Sequence, residues 1–182
     1  MDAILDLGAE AQLAALAARQ LSREELMRAT LARIEARNPA VNAVVCLRDP
    51  EVLLAEARAA DAAPVKGSLH GLPMAIKDLA NVSGLRTTMG SPIMAGQVAR
   101  SDDLFVSRLR AAGALFIGKT NTPEFGLGSH TFNPVHGATG NAWNPGVSAG
   151  GSSGGAAVAL ALRMLALADG SDMMGSLRNP AG

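Results

Sequence analysis

Three stretches of the chain carry residue types suited to nucleophilic chemistry. Lys77 closes the apolar run Met74-Ala75-Ile76 and is followed by Asp78 and Leu79. Burial disfavours the ammonium form and lowers a lysine's pKa from about 10.4, so a lysine at such a position can serve as a base. An ion pair with adjacent Asp78 is the plainer alternative. The second stretch is Gly150-Gly151-Ser152-Ser153-Gly154-Gly155, directly before a run of small apolar residues. Ser152 or Ser153 would cap a helix starting there, and the glycines allow sharp turns or close approach to a ligand. Two serines exceed what one cap needs. The third is the closing stretch, "GSDMMGSLRNPAG", Gly170 to Gly182. Successive N–H groups in such a turn can form an anion-binding nest, and Ser176 could be a nucleophile with its own oxyanion hole.

A serine nucleophile needs a base. His70 precedes the Lys77 run, while His130 and His136 lie in a glycine-rich loop, and all three read as structural or surface residues. Serine–lysine pairing is a known alternative to histidine.

A further pattern points elsewhere. Gly113 to Thr120, "GALFIGKT", matches the phosphate-binding pattern G-x-x-x-x-G-K-T, with Asp169 as a possible downstream acid. That motif needs a turning loop between its glycines and a helix starting at the Lys-Thr pair. Here the intervening residues are Ala, Leu, Phe and Ile, which favour a buried strand, and Asn121-Thr122-Pro123 follows. Nucleotide binding is therefore disfavoured, and Lys119 is expected to be solvated or paired nearby.

The elements that must hold these residues are readable in outline. Ser22 and Glu25 form a capping-box pattern, and a helical period follows to Arg37, where Asn38-Pro39 should end it. A short strand is expected over Asn42–Leu47 and a helix over Glu51–Ala60. Gly71–Asp78 reads as a strand, Asp102–Ala112 as a helix, and Ala114–Ile117 as a strand. Gly126 to Gly155 holds nine glycines in thirty residues, and a long glycine-rich loop in a compact domain is more often functional than idle. A helix over Gly154–Leu165 and a strand over Met164–Ala168 complete the pattern. Helices alternating with apolar strands predict an α/β fold whose sheet is covered on both faces. The predicted division is a helical region over 1–65 and a core over 66–182.

Composition narrows the function. The 182 residues are 48% hydrophobic and 18% charged, and sixteen basic residues balance sixteen acidic ones. No basic stripe offers a face for nucleic acid. The single cysteine, Cys46, supports neither a disulfide framework nor a zinc cluster, and reads as a small buried hydrophobe. No signal peptide or membrane-length apolar run is visible, which predicts a cytoplasmic protein.

Four ordered motifs, "GLPMAIKD", "GKTNTPEFGLGS", "GNAWNPGVSAGGSSGGAAVALA" and "GSDMMGSLRNPAG", closely resemble the amidase signature enzymes. The spacing fits as well: Lys77 lies 75 residues before Ser152, which lies 24 before Ser176. The resemblance implies a mixed sheet covered by helices and a Ser–Ser–Lys triad. Ser176 would be the nucleophile, Ser152 would follow a cis peptide from Gly151 and relay the proton, and Lys77 would be the terminal base. N–H groups of Met173, Met174, Gly175 and Ser176 would form the oxyanion hole, with Ser153, Asp172 and Arg178 holding the loops. The implied reaction is hydrolysis of a small-molecule carboxylic amide without metal or cofactor. The stretch "NTPEFG" looks more like free-standing amidases than the glutamine-hydrolysing component of the amidotransferases. A non-catalytic remnant is the further alternative. The family pattern Asp-Thr-Gly-Gly-Ser is Asp172-Met173-Met174-Gly175-Ser176 here, so Met174 would be strained if that position needs positive φ. Family members are more than twice this length, which implies the N-terminal part of a longer, truncated enzyme and possible self-association through a surface exposed by truncation.

Overall fold

The computed structural model describes residues 2–182. Two short helices, α1 (Asp2–Leu5) and α2 (Ala9–Ala17), lead into the long helix α3 (Arg23–Val41). The capping box at its start forms as the sequence predicts: Ser22 Oγ accepts the Glu25 N–H, and the Glu25 carboxylate accepts the Ser22 N–H. The end of α3 departs from expectation. The helix runs past Asn38 and Pro39 to Val41 and stops at Asn42, which has φ of 51°. Asn38 makes this end favourable, because its side-chain oxygen accepts the Ala43 and Val44 N–H groups and its amide donates to the Val44 carbonyl.

Strand β1 is consequently only Val44–Val45, shorter than predicted; Cys46 turns out of it with φ of 48°. Cys46 is half-exposed rather than buried, and its Sγ lies 3.9 Å from His136 Nε2. Helix α4 (Pro50–Ala62) follows, capped by Asp49, then β2 (Pro73–Lys77), α5 (Leu104–Ala111) and β3 (Leu115–Thr120). The sheet order is β1-β3-β2, with β1 antiparallel and β2 parallel to β3. The fold is thus α/β with a mixed sheet.

Alternation along β2 and β3 sends side chains to two different cores. Ala75 and Ile117 pack with Met27, Leu53 and Val158 from the helices on one face. Met74, Ile76 and Phe116 pack with Val106 of α5 on the other. All five residues of β2 are buried, as a strand covered on both faces should be.

Two strands of the glycine-rich loop, β4 (Phe132–Asn133) and β5 (Gly137–Ala138), form a small hairpin. Helix α6 (Gly154–Ala161) ends four residues before the predicted limit, at the left-handed turn of Arg163 (φ 56°). The strand predicted over Met164–Ala168 does not form. Met164 and Leu165 instead plug the core, and the N–H that the β2 edge offers at Lys77 is taken by the Asp169 side chain rather than by a neighbouring strand. A final short helix, α7 (Arg178–Ala181), follows the closing loop. Among the described residues no helix is long and apolar enough to cross a membrane.

Candidate active site

Strand alternation separates the two lysines of the sheet. Lys119 is paired in register with Ile76 and Lys77 with Thr120, so their side chains leave opposite faces. Lys119 is fully buried, which corrects the solvated reading. Its ammonium donates to the Ala80 carbonyl at 2.5 Å and to Thr87 Oγ1 at 2.9 Å, and lies 3.9 Å from Asp78. The Gly113–Thr120 stretch is a turn feeding a continuous strand, with no phosphate cradle. Asp78 therefore serves Lys119 and not its neighbour Lys77. Asp78 also accepts the N–H of Thr88 at 3.0 Å and its hydroxyl at 2.5 Å.

Lys77 turns to the other face, with 1% of its surface exposed. Its Nζ lies 2.8 Å from Ser152 Oγ, 2.9 Å from Ser153 Oγ and 3.0 Å from Ser171 Oγ. An ammonium has three donors, and here three hydroxyls meet them. Burial pushes the Lys77 pKa down to about 8, against the pull of Asp169 and Asp172. Neither Ser152 nor Ser153 caps α6 through its side chain, so helix capping does not explain the serine pair. Their hydroxyls are buried and directed at the lysine instead.

The turn that delivers them is built from glycine. The Gly151–Ser152 peptide is cis. A Cβ on Gly151 would come within 2.9 Å of the His130 backbone, so no larger residue fits. Asn179 of α7 donates to the Gly151 carbonyl at 3.2 Å and to the Ser129 carbonyl at 2.7 Å, joining the closing segment to the glycine-rich loop.

Ser176 sits in that closing segment, half-buried, and its carbonyl accepts the Ser153 N–H at 3.1 Å. Among the described residues no hydrogen bond joins the Ser152 and Ser176 hydroxyls, and the Ser176 hydroxyl has no other partner. Asp172 organises the loop around it. Its carboxylate accepts the Gly175 N–H at 2.7 Å, the Leu177 N–H at 3.1 Å, and a two-pronged contact from Arg178 at 3.0 and 2.9 Å. The Arg178 contact, then the Gly175 N–H, hold Asp172 far below the usual carboxylate range. The Gly175 N–H is thus already committed. The N–H groups of Met173, Met174 and Ser176 have no acceptor among the described residues.

The paired methionines carry no backbone strain. Positive φ in this loop falls on Gly175, at 107°, and on neither Met173 nor Met174. Both methionine side chains are 92% exposed.

The histidines stand apart from this cluster. His70 donates to the Ala60 carbonyl and His130 meets Ser148. His136 joins the Asp78 group: the Thr88 hydroxyl gives its proton to Asp78, so His136 Nε2 donates to Thr88 Oγ1 at 3.1 Å. The Asp78 contact first, and Cys46 second, push the His136 pKa up to about 9.

Two residues at Lys77 were not singled out from the sequence as part of this site. Ser171 supplies the third hydroxyl, and Asp169 binds the Lys77 N–H. Ser171 adjoins Asp172 in the recognised closing motif, and that proximity was the available signal. In the sequence Asp169 reads as a turn residue and as a possible acid for the Gly113–Thr120 pattern, and nothing local ties it to Lys77.

The family model described as Amidase matches residues 25–182. The chain is 45% identical over 178 residues to an acylamidase of Rhodococcus erythropolis, covering 96% of this chain and 37% of that protein. It is 47% identical over 171 residues to a glutamyl-tRNA(Gln) amidotransferase subunit of Thiobacillus denitrificans, covering 92% and 35%. Among solved structures, 6-aminohexanoate cyclic dimer hydrolase superposes with a TM-score of 0.87 at 39% identity, covering 97% of this chain and 36% of that one. Fatty acid amide hydrolase does so with a TM-score of 0.91 at 30% identity, covering 98% and 32%. The chain thus spans about a third of the length of these relatives. The matched residues include every element that carries the lysine–serine cluster, and the chain belongs to the amidase signature family.

Proposed function

We propose that the chain carries the nucleophilic machinery of an amidase, hydrolysing a small-molecule carboxylic amide through an acyl-serine. The observation that supports this most is the buried Lys77 Nζ–Ser152 Oγ contact at 2.8 Å, next to the loop that holds Ser176. With Lys77 neutral, Ser152 gives its proton to Nζ and takes the proton of Ser176. The Ser176 oxygen attacks the amide carbon, and charge develops on the former carbonyl oxygen. The uncommitted N–H groups of Met173, Met174 and Ser176 supply donors for it, with no reorganisation cost if they are already aimed. Collapse breaks the C–N bond, and the leaving nitrogen takes a proton back through Ser152. Water then attacks the acyl-serine by the same proton route and releases the acid. The Ser152–Ser176 hydrogen bond forms in the substrate complex, where catalytic contacts commonly tighten.

A fluorophosphonate probe tests this reading. Labelling should map to Ser176, disappear in Ser176→Ala, and fall by at least about a hundred-fold in Lys77→Ala, the range expected for losing a proton-transfer group. Labelling elsewhere on a folded chain would refute it.

The similarity to the Thiobacillus denitrificans amidotransferase protein supports a second reading, in which the amide is that of glutamine and the product is ammonia. Ammonia release from glutamine, set against release of aniline from an aryl acylamide, separates the two.

A further inference from the structure

Lys77 is held at both ends by one short segment. Its backbone N–H donates to Asp169 Oδ1 at 2.8 Å, and its Nζ meets Ser171 Oγ at 3.0 Å. That N–H points off the free edge of β2, since the next N–H, of Asp78, turns inward to the Thr120 carbonyl on β3. In a continuous sheet the Lys77 donor would be met by a neutral carbonyl of an adjoining strand. Here a carboxylate replaces that strand.

We propose that Asp169 is a positioning residue for the amidase reaction, its side chain fixing the Lys77 backbone at the β2 edge and placing a negative charge on the buried lysine's side of the sheet. This rests on the proposed role of Lys77 as the terminal base. The geometry gives the carboxylate two tasks. The hydrogen bond locks the last residue of β2 against the loop that carries Ser171, Asp172 and Ser176. The negative charge favours the ammonium form of a lysine that burial alone drives towards neutrality.

The charges facing this pair are few. Asp169 and Asp172 act on Lys77, and both favour its protonated form. Burial pushes the Asp169 carboxyl above its ordinary range, opposed by its bond to the Lys77 N–H and by the charges of Lys77 and Lys119, which favour the carboxylate. Lys119 is in turn faced by Asp78, Cys46 and Asp103, and His136 faces Asp78 from the hairpin side. Arg178 is spent on Asp172. Asp169 is thus the carboxylate that sees both buried lysines.

The chain contains three lysines, Lys66, Lys77 and Lys119, so a carbon-detected titration of protein labelled at lysine Cε gives a readable spectrum without any turnover. Substituting each lysine in turn assigns the signals. In Asp169→Asn the amide oxygen keeps the bond to the Lys77 N–H and only the charge is lost. The Lys77 midpoint should then fall below that of the unaltered chain, with the proton bound about three- to ten-fold more weakly, and the acid limb of Ser176 labelling should move to lower pH with it. Asp169→Glu, which retains the charge, should restore the midpoint. An unchanged Lys77 midpoint in folded Asp169→Asn overturns the proposal, whether or not Ser176 is labelled. If the Asn variant does not fold, Lys77→Met gives the reciprocal measurement. The Asp169 Cγ titration must move up when the lysine charge is removed, and an unmoved titration overturns the proposal equally. A shifted midpoint with an unlabelled Ser176 would leave the Asp169–Lys77 coupling standing and refute only the amidase reading.

Discussion

Lys77 Nζ lies 2.8 Å from Ser152 Oγ, although 75 residues separate them along the chain. The contact joins the end of β2 to the turn before α6, and both side chains are almost wholly buried. It also sets a pH dependence. A lysine base acts when neutral, and burial lowers Lys77 to about 8. Acylation of Ser176 should therefore rise about ten-fold per pH unit below that value and level off above it. Stability should follow a matching sign. Between about 8 and the ordinary value of 10.5 the unfolded chain binds a proton that the folded chain does not, so this group makes stability rise with pH across that window. Labelling rates and urea midpoints measured from pH 6 to 10 check both. A labelling rate flat across that range would remove Lys77 as the base.

Gly175 tests the backbone of the nucleophile loop without altering its packing. Its φ is 107°, yet a Cβ there would meet nothing within 4 Å. Gly175→Ala should therefore cost about 1–3 kcal/mol locally, through φ alone. The exposed loop makes few contacts with the core, so the melting temperature should change little. Ser176 labelling should drop sharply as the Met174 and Ser176 N–H groups lose their aim. Parallel thermal melts and labelling rates distinguish this from general unfolding.

The Asp78 cluster gives a stability prediction away from the serines. Asp78 and Lys119 are both fully buried, and Thr88 and His136 complete the group. Removing one member of a buried pair leaves an uncompensated charge, so Asp78→Ala should destabilise by about 3–5 kcal/mol. His136 adds a pH signature of the opposite sign to that of Lys77. Its pKa is raised from 6.5 to about 9, so its contribution is fully present below about 6.5 and is lost as the pH climbs through about 9. Denaturant titrations of the unaltered chain and of His136→Gln should diverge below pH 8 and converge above about 10.

The sequence made the chemistry more legible than the architecture. Lys77, Ser152 and Ser176 stand in motifs whose residues could be named before any fold was known, and the structure brings their segments together. The long, periodic α3 was likewise readable, but its end was not. Propensity stops a helix before Asn38-Pro39, whereas the Asn38 side chain rewards four further residues, Asn38 to Val41, by satisfying the chain beyond them. The false strand at Met164–Ala168 failed for a related reason. An apolar run says that a segment is buried, and only a partner edge makes it a strand. Asp169 and Ser171 were missed as Lys77 partners because their importance lies in long-range contacts to residue 77, which no local pattern records.

Asp172 should govern the nucleophile loop while contributing little to global stability. It gathers the Gly175 and Leu177 N–H groups and the Arg178 side chain, and that side chain is largely solvent-exposed. Losing it should let the loop relax without opening either core. Asp172→Ala is therefore expected to slow Ser176 labelling at least ten-fold, consistent with the sensitivity of such loops to small misplacements, at a nearly unchanged melting temperature. The Arg178 contact is a two-pronged fork, which a lysine cannot reproduce. Arg178→Lys should thus behave more like Arg178→Ala than like the unaltered chain. The pH dependence follows from the same contacts. With its carboxyl held far below the usual range, Asp172 contributes stability above about pH 3.8 and loses it only as pH falls through the lowered value. The loop should consequently keep its shape, followed by the Gly175 amide signal, through mild acid where Lys77 is already protonated. Labelling would then be lost on acidification while that amide signal stays put, and movement of the two together would show that the loop, not the base, sets the acid limb.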